Sequence, residues 1–207
     1  MDIDSTWHAI DAQRVRVADL LDGVTGDEWQ TPSLCAGWTV RDVAAHLTLQ
    51  QLGLREAVGL FRTPGSLNTM IREAARRKAA TRSPASLVAE IRAMVGSRRH
   101  NVGVTPGETL IDILVHGLDI AVPLGRDLEI PTDAAAAAAT RMWTMRWPRP
   151  IVSRRRFAGL RLTATDADWS VGSGAAVEGP MTALLLLLAG RTSTALPQLS
   201  GADALAA

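Results

Sequence analysis

Three side chains of this chain could do chemistry together: His46, Asp112 and His116. Asp112 and His116 stand four apart, in Asp112-Ile-Leu-Val-His116-Gly-Leu-Asp119, so on a helix they project from one face. His46 closes the run Cys35-Ala-Gly-Trp-Thr-Val-Arg-Asp-Val-Ala-Ala-His46. Two imidazoles and one carboxylate on neighbouring helices would hold a divalent metal through three ligands. They would also leave a position open, which separates a catalytic site from a structural one. Imidazole and carboxylate suit Zn²⁺, Ni²⁺ or Fe²⁺. An acid and a histidine four apart are also common as a surface pair, so the spacing alone leaves both readings open. The apolar neighbours Val43, Ala44 and Leu47, and Ile113, Leu114 and Val115, favour a site, because an unpaired imidazole among them is costly.

Helices must carry these residues. Ser5 or Thr6 can cap a first helix to about Asp22, with Val17, Leu20 and Leu21 on its apolar face. After a loop from Gly23 to Pro32, Thr39 is a good N-cap and Asp42 follows three residues later, close to a capping box. Leu47, Leu54 and Val58 extend that helix toward Phe61, and Pro64-Gly65 break it. An arginine-rich helix over Ser66–Ala80 is expected, then one from Ser83-Pro84 to about Val95. The helix with Asp112 and His116 is expected over Glu108–Val122, ended by Pro123 and Gly125. Thr132 then caps an alanine run leading to Trp143 and Trp147. Beyond Pro150 the pattern alternates in Leu160–Thr165, with short strands at Trp169–Val171 and Ala175–Val177 and a helix over Met181–Ala189. The expected class is α+β, mainly α: an antiparallel bundle in 1–150 and a small α/β domain in 151–207.

With 207 residues, 47% apolar and 21% charged, the chain can bury a core without disulfides. A net charge of +1 asks for neither nucleic acid nor a membrane surface. The apolar stretch Met181–Gly190 is shorter than the ~20 residues a bilayer requires. The single cysteine, Cys35, excludes an internal disulfide, and no signal peptide is expected from the start Met-Asp-Ile-Asp. A cytoplasmic protein, monomeric or homodimeric, is the expectation.

The stretch Leu34–Leu47, LCAGWTVRDVAAHL, resembles the N-terminal signature of the mycothiol-dependent maleylpyruvate isomerase family, within the DinB-like metal-binding four-helix bundles. Asp112–Gly125 is similar to its second signature. Gly159–Trp169, Gly179-Pro180 and Leu188–Arg191 are similar to its small C-terminal domain. The resemblance implies a divalent metal, usually zinc, on His46, Asp112 and His116, and mycothiol as thiol cosubstrate. It implies an isomerase or S-transferase acting on a small electrophile through a metal-activated thiolate. It also implies that Arg191 binds the thiol or an anionic substrate, as arginine suits carboxylates. One departure stands out: the family usually has Glu where this chain has Asp112. The metal must then sit closer to that helix or be reached through water, and Glu108, one turn earlier, is a fallback ligand.

Asp119, three after His116, could accept a hydrogen bond from a ligand imidazole, or serve as a catalytic base. Asp42 is accounted for by capping, and Cys35 by apolar filling. Trp38, Trp143, Trp147 and Trp169 read as packing residues; His8, His100, Arg76-Arg77 and Arg154-Arg155-Arg156 read as surface. Two other functions stay open: a non-catalytic metal-binding or regulatory protein, and metal-assisted hydrolysis.

Overall fold

The computed structural model describes residues 1–52, 65–146, 152 and 154–205. They form two compact units, 2–129 and 130–207 (the latter with Met1). The first is helical: α1 (Ile3–Asp22), α2 (Val40–Leu47), α3 (Leu67–Thr81), α4 (Pro84–Ala93) and α5 (Pro106–Ala121). The second holds α6 (Thr132–Thr144), the strands β1 (Leu160–Ala164), β2 (Ser170–Gly172) and β3 (Ala175–Gly179), α7 (Met181–Leu188) and the short α8 (Thr192–Ala195). The chain is therefore α+β and mainly α, as its patterning predicts. In the second unit α6 packs on α7.

Each helix start in the first unit has a local cause. Asp2 accepts from the Ser5 amide at 2.7 Å, so α1 begins a turn before the expected Ser5 or Thr6 cap. Thr39 and Asp42 complete a capping box on α2. Ser66 caps α3, and Ser83 caps α4 with Pro84 in the first turn. α5 starts at Pro106, earlier than expected, because Thr105 and Glu108 form a capping box around it.

α1 packs on α4 and α5, and α2 packs on α3, α4 and α5. The core between them holds Ile10, Leu21, Leu47, Leu87, Ile91, Ile113 and Leu114, all essentially solvent-free. The close approach of α1 to α5 depends on Gly117. A Cβ there would lie 2.8 Å from Leu128 Cδ2 and 3.1 Å from Val17 Cγ2.

α2 ends sooner than its apolar stripe suggests. The Thr48 hydroxyl donates to the Ala45 carbonyl at 2.7 Å, and the Leu49 and Gln50 amides bond three residues back, tightening the chain out of the α-helix. Leu54, Val58 and Phe61, expected to extend α2, lie outside the described residues, as does Trp147.

In the second unit β1 is central, antiparallel to β2 and parallel to β3, in the order β2-β1-β3. Gly174 has φ +124° and sits where a Cβ would be 2.0 Å from the Gly159 carbonyl, so only glycine fits between β2 and β3. The leucine run of α7 is buried, as is Trp169, whose indole donates to Thr140 Oγ1 on α6 at 2.9 Å. No helix among the described residues is long and apolar enough to cross a membrane.

Candidate metal centre

α2 and α5 bring the three expected residues together. Asp112 Oδ1 lies 3.2 Å from His46 Nε2 and 3.4 Å from His116 Nε2. One ligand atom from each residue falls within 4.8 Å of the other two, close enough to share one ion. The side chains retain 14% (His46), 15% (His116) and 28% (Asp112) of their exposure, so a small molecule can reach the cluster.

Asp119 decides how His116 presents itself. Its carboxylate is fully buried and accepts from His116 Nδ1 at 2.8 Å. With Nδ1 engaged by Asp119, His116 turns its Nε2 toward Asp112 Oδ1. A ring nitrogen and a carboxylate oxygen 3.4 Å apart can share a proton or a metal ion. A histidine ligand whose far nitrogen is pinned by a carboxylate is the usual support of a metal site. His46 is oriented differently. Its Nδ1 is buried and meets no hydrogen-bond partner among the described residues, and its ring packs against Trp38 at 5.1 Å between centroids.

Burial pushes the Asp112 carboxyl toward its neutral form. The positive charge of His46, hydrogen bonds from His46 and Gln50, and the charge of His116 outweigh that and hold it well below the usual carboxylate range. Asp112 is therefore anionic, as a ligand must be.

The loop before α2 forms one wall. Ser33 and Trp38 bond across its base, and Leu34 donates to the Asp119 carbonyl at 3.2 Å, tying the loop to α5. From α3, Arg72 donates to the Ala36 carbonyl at 3.1 Å and Arg76 to the Gly37 carbonyl at 2.7 Å. Arg76, expected as a solvated surface residue, thus braces this loop. Trp38 is buried as expected, but against both histidines, with its ring 6.2 Å from His116. Cys35, expected as apolar filling, is half-buried, with its sulfur within 4.8 Å of a donor atom of both His116 and Asp119.

The other expected residues fall as follows. Glu108 accepts from the Thr105 amide at 2.7 Å and caps α5. Asp42 likewise caps α2, accepting from the Thr39 amide at 2.9 Å. Arg191 belongs to the second unit, where it precedes α8 and donates to the Ala189 carbonyl at 2.5 Å. Two residues of the site were not expected from sequence. Gln50 Nε2 donates to Asp112 Oδ2 at 2.7 Å, and Arg14 on α1 donates to Gln50 Oε1 at 3.4 Å. A signal for Arg14 exists: it occupies a position in the apolar series Ile10, Arg14, Val17, Leu21, where a charge is out of place.

A mainly helical unit with a histidine-aspartate-histidine cluster between two helices defines the class: a helical bundle with a candidate metal centre. Residues 10–108 match the model of the mycothiol maleylpyruvate isomerase N-terminal domain. The match includes His46 and stops short of Asp112 and His116. Two solved structures share the fold. A crystal structure of the mycothiol-dependent maleylpyruvate isomerase is 17% identical, over 93% of this chain and 91% of that one, with a TM-score of 0.61. A crystal structure of a histidine-to-alanine mutant of the mycothiol-dependent maleylpyruvate isomerase is 16% identical, over 94% and 91%, with the same TM-score. No curated protein sequence matches the chain.

Proposed function

We propose that this chain is a metal-dependent enzyme that uses mycothiol to isomerise, or to transfer sulfur onto, a small electrophilic substrate. The observation that carries the reading is the convergence of His46 Nε2, His116 Nε2 and Asp112 Oδ1 at an accessible point on α2 and α5. The family model that matches residues 10–108 and the names of the two similar structures suggest the thiol and the reaction class.

The donor set fits Zn²⁺ best, with Ni²⁺ and Fe²⁺ as the other candidates. A metal held by His46, Asp112 and His116 would lower the pKa of a thiol at its open position. The chain's own residues do the rest. Asp119 keeps the proton of His116 on Nδ1, and Trp38 packs against the two imidazoles. The thiolate sulfur adds to one carbon of a conjugated cis double bond and the electron pair moves into the adjacent carbonyl system. Rotation about the new single bond follows, and then the carbon–sulfur bond breaks. The thiol returns unchanged and neither oxidant nor reductant is needed. In a transferase the same addition would not be reversed. Arg191 is assigned by resemblance alone to an anionic group of the thiol or substrate.

The test is elemental analysis of protein purified without chelator, with His116→Ala beside it. About one divalent metal per chain, lost in the variant, is expected for a three-ligand site. Mycothiol with maleylpyruvate should then give the trans isomer. Absence of metal from the wild type would reduce the three residues to a polar cluster and overturn the reading.

A further inference from the structure

We propose that Gln50, held by the buried Arg14, is a positioning residue that presents Asp112 to the metal through one oxygen. The inference rests on the metal-centre reading above and names how this chain accommodates an aspartate there.

Gln50 is brought inward by the end of α2. The turn that begins at Thr48 carries its side chain out of helical register and buries it, leaving only 5% exposed. Its Nε2 donates to Asp112 Oδ2 at 2.7 Å, shorter than the contacts of that carboxylate with His46 and His116. Its Oε1 faces Arg14 Nη2 at 3.4 Å. A guanidinium only donates, so the amide oxygen must face Arg14 and the amide NH₂ must face Asp112. Arg14 is itself fixed. It has no exposed surface, and its Nη1 donates to the Met94 carbonyl at 2.8 Å and to Asp11 at 3.2 Å.

Two consequences follow. The Oδ2 oxygen is taken by the amide, so only Oδ1 faces the two imidazoles, and the carboxylate cannot chelate with both oxygens. An aspartate has one torsion fewer than a glutamate, so its plane is set once one oxygen is pinned. Glutamine also suits the place chemically. A cation there would neutralise the ligand charge, and a carboxylate would repel Asp112. The charge of Arg14 is kept one residue away and acts through the amide it orients.

Cobalt(II) alone is the probe. The apo protein, Gln50→Leu and Gln50→Met are titrated with Co²⁺, the visible spectrum is recorded, and the melting of each metal-free form is measured. Wild-type binding weakened about 10- to 100-fold in both variants is the expected result. It should come with a weaker d–d band as the freed carboxylate adds a second oxygen to the coordination. Variants that bind as tightly as wild type, with the same spectrum, overturn the positioning role. Loss of affinity only in proportion to a lowered melting temperature, with an unchanged spectrum, overturns it as well. A wild type that binds no cobalt sinks the metal-centre reading itself, and that arm is read before the variants.

Discussion

At the scale of single residues, the carboxylate of Asp112 is where the forces meet. Two imidazole nitrogens face one of its oxygens and an amide holds the other. Its ordinary pKa is 3.8, and in the fold it is held below that against the pull of burial. A depressed folded value means that the unfolded chain takes up the proton first. The stability this group contributes is therefore complete above about pH 4 and is lost as the pH falls below it. In metal-free protein, Asp112→Asn should flatten the decline of stability between about pH 4 and about pH 2. Urea unfolding across that range measures it, and parallel curves for the two proteins would show that Asp112 carries no such linkage. Metal on the proposed ligands would act in the same direction, because protons compete with an ion for both histidines and the aspartate.

At the scale of elements, the site depends on where helices begin and end. Thr39 and Asp42 start α2 and thereby aim His46, two turns on, at α5. Thr105 and Glu108 start α5, which sets the phase of Asp112, His116 and Asp119. Replacing such a cap by alanine costs about 1 kcal/mol. Thr39→Ala is expected to lower unfolding free energy by that amount while binding metal at full stoichiometry when saturated. Denaturant titration and elemental analysis check the two halves separately. The end of α2 matters equally, since the turn after Leu47 delivers Gln50 to Asp112. The loop from Ser33 to Trp38 is held from two helices, by Arg72 and Arg76 on α3 and by the Asp119 carbonyl on α5. It keeps Trp38 against the imidazoles without a hydrogen bond from its indole among the described residues.

At the scale of the whole molecule, all three proposed ligands, their supports and the Trp38 wall lie in the helical unit. The second unit has its own core, built from the leucines of α7, the alanine face of α6 and the inward side of β1 and β3. Metal content should therefore be insensitive to changes in Arg191. The resemblance assigns that arginine to an anionic partner, and a charge-assisted hydrogen bond contributes about 1.5–3 kcal/mol. Arg191→Ala is expected to raise KM for that partner about tenfold or more with kcat nearly kept. Steady-state kinetics at fixed metal occupancy decide it, and an unchanged KM would remove Arg191 from the binding groups.

Much of what depends on near neighbours was legible in the sequence, although the Asp2 cap of α1, the Thr105–Glu108 box of α5 and the turn at Thr48 were not read from it. Ser66, Ser83 and the Thr39–Asp42 pair mark helix starts because a cap bonds within three residues. The pairing of Asp112 with His116 is likewise a property of one helical face, as is the reach of Asp119 to His116. The mainly helical class with a small mixed sheet follows from where the period of apolar residues changes. Contacts between elements were decided only by the tertiary structure. Arg76 looks solvated along its own helix, yet it bonds a loop thirty-nine residues earlier. Trp38 looks like core, and its neighbours happen to be the imidazoles of His46 and His116. Gln50 is unremarkable in its segment until α2 unwinds and Asp112 arrives from sixty-two residues away. Local propensity and capping act over a few residues and can be read in order along the chain. The choice of which polar groups share a buried point is made by packing, which the order of residues does not display.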